Sequence, residues 1–153
     1  MTRASIERQA DGIVAFLKAN LDTYIDRANE GQPNCAGKPR RIERSDLIPT
    51  EGPFPFIAVT VDEVSNAPSG QGCTLVESRF SINVAIKESK PATRDVTAYR
   101  YLDALLDLFN EDITAGGICD LSVLESLDKL AEPNGGVAFV VATLKTSVEV
   151  QTQ

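Results

Sequence analysis

The stretch RFSINVAIKESKPATRDVTAYRYLDALLDLF, residues 79–109, changes its hydrophobic period halfway along. From Phe80 to Ile86 apolar and polar residues alternate, which predicts a β-strand with one apolar face. Beyond Pro91 the apolar residues recur at steps of three and four, which predicts an amphipathic helix over residues 93–110. An apolar strand face needs cover, so we expect the helix to fold back onto the strand.

The start and the apolar stripe of this helix can also be predicted. Thr93 is the expected N-cap, and Asp95 lies in the first turn, where the helix dipole favours negative charge. Tyr101 falls off the stripe and is therefore available to a partner. The expected stripe consists of Val96, Tyr99, Leu102, Leu105, Leu106 and Phe109.

The same reasoning extends to the rest of the chain. An amphipathic helix is expected over residues 5–29, strands over 54–64 and 73–87, and a last strand over 137–150. The turn-rich residues between the first two strands predict a long hairpin with its tip at 66–71. Residues 116–131 fit both periods, and we favour a strand over 118–127. The expected fold is one α+β domain, residues 1–153, with an antiparallel sheet of about four strands and two helices packed on one face.

Residues 30–53 are expected to form a long irregular loop, because three glycines and four prolines interrupt them. Loops of this length within a compact domain are usually functional or mobile. Their basic island KPRRIER, residues 38–44, is either a solvated surface or a docking strip for an acidic neighbour.

Composition removes several classes of chemistry. The chain has 153 residues, a net charge of −7 and no histidine, so imidazole-based triads and most zinc sites are closed to it. The acidic balance disfavours gripping nucleic acid through its phosphates. Neither a signal peptide nor a membrane span is expected. Cys35, Cys73 and Cys119 are too few and too dispersed for a disulfide framework, and we expect reduced thiols, with Cys119 buried or inert.

The acidic and glycine pairs are better explained as structure than as sites. Asp62 and Glu63 are adjacent in a strand, so we expect them on opposite faces unless a bulge intervenes. Gly116-Gly117 and Gly135-Gly136 are expected in turns. We predict no catalytic, cofactor-binding or metal-binding residues and do not expect an enzyme. Asp22 and Asp26 share a face of the first helix and are expected to be solvated surface. The acids considered for a weak metal site, and expected to be structural surface instead, are Asp103, Asp107, Glu111 and Asp112.

The layout resembles a known group of proteins. The segments SIERQADGIVAFLKANLDTYI, FPFIAVTVDEV, ESRFSINVAIK, DVTAYRYLDALLDLF and GGVAFVVATLKTSVEV follow one another as in the tail terminator and tail completion proteins of long-tailed phages, including the minor tail protein U type. The likeness is one of arrangement, without a diagnostic motif.

The resemblance implies a virion protein that is made in the host cytoplasm and resides in the tail or neck. Such a protein forms a ring, typically hexameric, at the head-proximal end of the tail tube, ends tube polymerisation and joins the tail to the head connector. DNA would pass through the acidic lumen without specific binding, and no membrane is involved. Loop 30–53 and hairpin tip 66–71 are the expected contact elements. The alternative is a small non-catalytic module that binds a ligand or peptide in an apolar pocket.

Overall fold

The computed structural model describes residues 5–46, 51–70, 72–131 and 137–151. Two helices and five strands follow in the order α1 (Ile6–Asn29), β1 (Arg41–Arg44), β2 (Phe56–Pro68), β3 (Cys73–Lys87), α2 (Pro91–Glu111), β4 (Leu121–Ala131) and β5 (Val137–Gln151). The strands form one sheet in the order β1-β2-β3-β5-β4. Only β1 and β2 pair in parallel among these strands. The α+β class is confirmed, but the sheet has five strands instead of four.

The additional strand, β1, lies inside the predicted loop 30–53. Backbone hydrogen bonds from Arg40 N to Pro55 O (2.9 Å) and from Ser45 N to Val59 O (3.0 Å) flank its parallel pairing with β2. Ile42 is its one apolar side chain and packs against the core. The sequence RIER shows too little alternation to be recognised as a strand, which is why the prediction of an irregular loop was wrong here.

The main core lies between the sheet and the two helices. Most of the strand face predicted from the alternation of β3 and β5 is buried. In α1 the apolar stripe is buried at Ala10, Ile13, Leu17 and Leu21 and half-buried at Ile6, Tyr24 and Ala28. Each large aliphatic or aromatic side chain in this layer contributes about 1.5–3 kcal/mol through its removal from water. The largest fully buried side chains include Ile13, Leu17, Leu21, Ile25, Phe80, Ile82, Ile86, Tyr101, Leu105, Leu108 and Phe109.

The face of the sheet that carries no helix has a smaller apolar cluster of its own. Phe56 and Ala58 of β2 pack there with Ala85, Val137 and Phe139. The alternation of β3 and β5 predicted a polar face, and that prediction holds only for the half of the sheet beyond this cluster. The reason is local, because at this end of the sheet most outward positions of three adjacent strands are apolar, and the buried Asn83 among them donates a hydrogen bond to Ala58 O.

Helix α2 begins earlier and presents a different stripe than predicted. Pro91 occupies its first turn, where a missing N–H costs nothing, and Lys90 instead of Thr93 precedes it. Tyr101 is fully buried and Tyr99 is 50% exposed, the reverse of the expectation. The buried face includes small residues, which a search for large apolar side chains overlooks. It consists of Thr97, Ala98, Tyr101, Ala104, Leu105, Leu108 and Phe109.

The ambiguous residues 116–131 form a strand, as favoured, but the strand begins and ends about three residues later. Residues 113–119 form a turn that includes Gly116 and Gly117, both with positive φ, as the turn prediction requires. Gly135 and Gly136 lie outside the described residues. Neither α1 nor α2 combines the length and hydropathy needed to span a membrane.

Candidate functional site

The predicted hairpin is longer than expected and is joined by a third strand. β2 continues to Pro68, so residues 66–68 belong to the ladder with β3, and Gln71 lies outside the described residues. β5 follows β3 over the whole length of the latter, from the pair of Cys73 with Gln151 to that of Lys87 with Val137. Residues 61–68 are all exposed. We call the resulting three-stranded segment, residues 63–68, 73–77 and 147–151, the arm.

The arm meets the body of the sheet at two β-bulges in a single row. β2 is irregular between Val61 and Glu63, and β4 is irregular between Leu124 and Ser126. Val61 pairs with Phe80, Phe80 with Leu144, and Leu144 with Leu124. The extra residues of the two strands therefore flank the same transverse line, Asp62 on its arm side and Glu125 on its body side, while β3 and β5 pass through it without interruption.

One arginine joins the two bulged strands. Arg79 of β3 binds Glu125 of β4 through Nε (2.9 Å) and Glu63 of β2 through Nη1 (3.3 Å). The charge of Glu125, and then that of Glu63, raises the pKa of the arginine further above its ordinary value. Arg79 thus spans the sheet from β2 to β4 across the row of bulges.

The bulge in β2 also changes the orientation of its acidic pair. Asp62 accepts a short hydrogen bond from Ser81 Oγ on the helix-free face, where Glu63 meets Arg79. The two carboxylates therefore share a face, and the expectation of opposite faces was wrong because the strand is not regular at this point. Each carboxylate already has a protein partner, so the pair serves the sheet structure.

The helix-free face is acidic beyond its apolar cluster. Strand pairing places eleven charged side chains on it, seven acidic and four basic. Lys145 binds Glu77 at 3.3 Å, and Arg79 neutralises part of the bulge charge. The charged residues on this face are Glu43, Asp62, Glu63, Glu77, Glu125, Asp128, Glu149, Arg41, Arg79, Lys87 and Lys145.

A buried polar row lies on the other face, beneath the first turns of α1. Ser78, Thr146 and Ser122 are paired neighbours on β3, β5 and β4, and all are nearly inaccessible to solvent. Gln9 lies over them, fully buried, and its Oε1 accepts a hydrogen bond from Thr146 Oγ1 at 2.7 Å. Gln9 Nε2 and the two serine hydroxyls have no hydrogen-bond partner among the described residues. Such groups are uncommon in folded proteins, so this row weakens the core at the base of the arm.

The acids of α2 and its end have structural partners or lie on the surface. Glu111 accepts hydrogen bonds from Tyr24 Oη (2.5 Å) and Arg27 Nη1 (3.0 Å) of α1, which ties the two helices together. The hydrogen bond from Tyr24, followed by that from Arg27, lowers the pKa of Glu111. Asp112 accepts hydrogen bonds from the backbone N–H groups of Thr114 and Gly116, and so orders the turn after α2.

The remaining acids singled out from the sequence lie apart from these. Asp26 on α1 binds Lys38 at 3.3 Å, and Asp103 and Asp107 are exposed on α2. Within the described ranges, no three or more Asp, Glu, Cys or His side chains come together in a way that could hold a metal ion.

The basic island forms strand β1 and its approach, at one edge of the sheet. Arg41 stacks over the Phe56 ring at 4.5 Å and binds Glu43 at 2.9 Å. Arg44 faces the helix side, where it meets Glu7 and Asp11 of α1. Arg40 is exposed and forms no ion pair with another described residue. The docking strip considered for this segment is therefore an edge strand, placed where a neighbouring chain can reach its backbone.

The opposite edge is formed by β4, which has an apolar and an acidic component. Leu121, Val123 and Leu130 are 43%, 46% and 56% exposed, and Asp128 is exposed without an ion-pair partner among the described residues. Lys129 turns to the helix face, where it binds Asp95 at 2.7 Å and lies 4.8 Å from the Tyr99 ring. Sequence reasoning favoured a strand here but could not place it at an edge of the sheet, because strand order depends on pairing with β5.

The described surface has several cavities, including one of about 530 Å³ beside Glu7, Asp11 and Gly12 of α1. One of about 210 Å³ lies between Arg8, Gln9 and the turn at Gly116 and Gly117. Another of about 300 Å³ separates α1 from β1 and has Ile42 on its wall. Ligand pockets are usually lined mainly by apolar and aromatic groups with a few convergent polar atoms, which these linings do not provide.

The three cysteines have different surroundings, and none forms a disulfide within the described part of the chain. Cys119 is buried, as expected, and its Sγ lies 3.5 Å from Thr114 O. A hydrogen bond with Glu149, followed by desolvation, raises the pKa of the Cys73 thiol, which disfavours the nucleophilic thiolate. Cys35 is exposed on the connection after α1.

Similarity to known proteins is found among solved structures. No protein-family model and no curated protein matches the sequence. Among solved structures, a chain of the virion of a native gene transfer agent (GTA) particle is similar, with 16% sequence identity and a TM-score of 0.48. The alignment covers 90% of this chain and 92% of that chain.

Proposed function

We propose that this chain is a structural subunit of a long-tailed phage virion and acts as a tail terminator or an adjacent neck component. Identical subunits close into a ring, hexameric if the resemblance extends to subunit number, at the head-proximal end of the tail tube. The ring ends tube polymerisation and provides the contact with the head connector. The protein performs no catalysis in this role, and its place is the mature virion after synthesis in the host cytoplasm.

The arm is the observation that carries this proposal. The β2 side of the arm is exposed, as are all of residues 61–68, whereas Val148 on its β5 side is buried and Val150 packs against the core. The β2 side therefore gains little from the core of its own subunit. It is suited to contact a neighbouring subunit or the tail tube, because a sheet presents both a face and an edge to a partner.

The charge of the sheet supports the same proposal. The helix-free face is acidic, with seven acids and four bases, and the whole chain carries −7. A ring that turned this face inward would repel the phosphates of passing DNA and so would not retain it. The helices would then lie on the outside of the ring.

The experiment that tests the proposal uses the purified chain and tail tubes assembled from the tube subunit of the same virus. We expect the chain to bind tube ends, to stop elongation at one ring per end and to show rings in negative-stain images. A variant in which residues 66–71 are replaced by a two-residue turn should fold, as circular dichroism would show, and lose end binding. Asp103→Lys on the outer surface of α2 is the matched control and should retain it.

Two results would reject the proposal. The first is a chain that leaves tube elongation unchanged at saturating concentration. The second is a shortened-arm variant that folds and still caps tubes, which would remove the arm from the contact. A solution monomer alone is compatible with the proposal, because ring closure can require the tube end as a template.

A further inference from the structure

One flank of α2 carries an apolar stripe that the described part of the chain leaves uncovered. Tyr99 and Leu106 are 50% and 40% exposed, although both side chains are large and mainly apolar. Leu102 lies between them and is half-buried against the core. Successive residues of a helix are about 100° apart, so these three positions fall within about 60° of one another. We call Tyr99, Leu102 and Leu106 the α2 stripe.

The spacing of the α2 stripe is that of a contact between two helices. Steps of three and then four residues place the side chains along one line, as at the a and d positions of a heptad. In that register Asp103 occupies an e position, at the border of such a contact, where charged residues select the partner. The α2 stripe therefore offers the anchors that an amphipathic helix uses when it binds a protein surface.

The acids beside the α2 stripe lack a partner among the described residues. Asp103 and Asp107 lie about 40° and 80° beyond Tyr99, on the side of the stripe that turns away from the core. Both are exposed, and neither side chain forms an ion pair or a hydrogen bond within the described ranges. Lys129 of β4, which borders the other side of the stripe at 4.8 Å from the Tyr99 ring, already binds Asp95 at 2.7 Å. The surface thus combines uncovered apolar side chains with uncompensated negative charge.

We propose that the α2 stripe binds an amphipathic helix of another protein, one whose lysines or arginines meet Asp103 and Asp107. The apolar side of that helix covers Tyr99 and Leu106 and so removes them from water, which favours binding. Its bases meet the two acids, which adds specificity for a basic partner. The inference goes beyond the proposed function, since it requires neither a ring nor a tail tube.

A second copy of this chain is a poorer occupant of the α2 stripe. Two copies joined through α2 about a two-fold axis would bring Asp103 and Asp107 of each copy close to those of the other. The chain carries a net charge of −7, and seven of its lysines and arginines are bound to acids of their own subunit. Like charges oppose association, so the bases have to come from a different protein.

The test uses two synthetic helical peptides that differ only in charge. Each has leucine at the a and d positions over about three heptads, with lysine at the remaining positions of one peptide and glutamate at those of the other. Fluorescence anisotropy over a concentration series measures their binding to the unmodified chain. We expect the lysine peptide to bind at least about tenfold more tightly than the glutamate peptide, and its affinity to fall as salt rises.

Two variants locate the binding on the α2 stripe, each with a matched control. Asp103→Lys should weaken binding of the lysine peptide about tenfold, whereas Asp22→Lys makes the same change on the exposed surface of α1 and should have little effect. Leu106→Ser should weaken binding by a similar factor, whereas Leu130→Ser, at a 56% exposed residue of β4, should not. If circular dichroism shows that Leu106→Ser does not fold, Tyr99→Ser takes its place, because half of that side chain is already in water.

Several outcomes would overturn the proposal. A lysine peptide that does not bind, or that binds no better than the glutamate peptide, would reject the basic helix as the partner. Equal weakening by Asp22→Lys and Asp103→Lys would show only a general attraction to an acidic chain. Weakening by Leu130→Ser but not by Leu106→Ser would place the contact on β4 instead.

Tail-tube capping is a separate measurement from peptide binding. Asp103→Lys should still cap tube ends, because the arm and not α2 makes that contact in the proposed function. If the peptide tests fail while the unmodified chain caps tubes, the terminator role stands without this inference. If the peptide tests succeed while tube ends stay uncapped, the α2 stripe stands and the terminator role is wrong.

Discussion

The hydrogen bond between Gln9 and Thr146 allows a quantitative test of the buried polar row. Thr146→Val removes the hydroxyl that donates to Gln9 Oε1 and keeps nearly the same shape. The amide then has neither of its polar atoms paired, because Nε2 already lacks a partner among the described residues. An unsatisfied buried polar group costs roughly 1–3 kcal/mol, so we expect the free energy of unfolding to fall by that amount.

The double variant should behave differently from this single one. Gln9→Met with Thr146→Val replaces both partners by apolar groups of similar size, which is nearly neutral or stabilising. Gln9→Met alone should cost less than Thr146→Val, since it removes the unpaired Nε2 together with the acceptor. We therefore expect a coupling energy of about 1–2 kcal/mol between the two positions.

The assay is urea unfolding followed by circular dichroism for the unmodified chain, the two single variants and the double variant. Two protein concentrations separate folding from any self-association. Additive effects of the two substitutions would refute the reasoning, because they would mean that the pair is not coupled. So would a double variant at least as unstable as Thr146→Val, since the amide would then not be the source of the cost.

Three further predictions concern the helices and the turn after α2. Glu111→Gln should lower the free energy of unfolding at neutral pH, and the difference from the unmodified chain should shrink on acidification. The reason is that a carboxyl with a lowered pKa stabilises the fold above its ordinary pKa and loses that contribution as the pH falls. Urea unfolding at a series of pH values measures this. Tyr101→Phe removes a 2.8 Å hydrogen bond to the Gly37 carbonyl and should cost about 1 kcal/mol in thermal unfolding. Gly116→Ala should destabilise the fold more than Gly117→Ala. Both glycines have positive φ, which costs an alanine about 1–2 kcal/mol, but only at position 116 would the new Cβ lie 3.0 Å from a Phe16 ring carbon.

Each of these predictions has a contrary result. A pH-independent deficit for Glu111→Gln would mean that its bonds to α1 do not persist in solution, and Asp107→Asn is the control without such partners. A neutral Tyr101→Phe would show that solvent satisfies the hydroxyl in its place. Equal costs at positions 116 and 117 would show that the aromatic ring moves aside freely.

Much of the fold follows from local periodicity, and the errors have physical causes. The bounds of β3 were predicted to the residue because the strand alternates apolar and polar side chains over its second half. β1 was missed because a four-residue edge strand owes its pairing to β2 and not to its own pattern. The predicted burial of Tyr99 and the predicted exposure of Tyr101 were the wrong way round, because α2 packs through its small residues, which a count of large apolar side chains overlooks.

The interaction surface was less accessible to prediction than the fold. Hairpin tip 66–71 and loop 30–53 were expected to be contact elements, but the chemistry of such a surface depends on neighbours distant in sequence. Arg79 binds Glu125, which lies 46 residues further along the chain, and no local sequence pattern predicts that contact. The acidic pair at Asp62 and Glu63 was assigned to opposite faces because a bulge is a property of two paired strands together.

The row of bulges has a mechanical consequence for the arm. Each outer strand loses one ladder position there, whereas β3 and β5 keep all of theirs, so the sheet has a transverse crease held by two continuous strands. Bending of the arm concentrates along that crease, because the side strands resist it least at that point. Arg79 binds one acid on each side of the crease, Glu63 and Glu125, and these ion pairs oppose bending at the crease. Pulling along β3 would instead load fifteen paired residues in shear at once, so the arm is compliant to bending and stiff to tension.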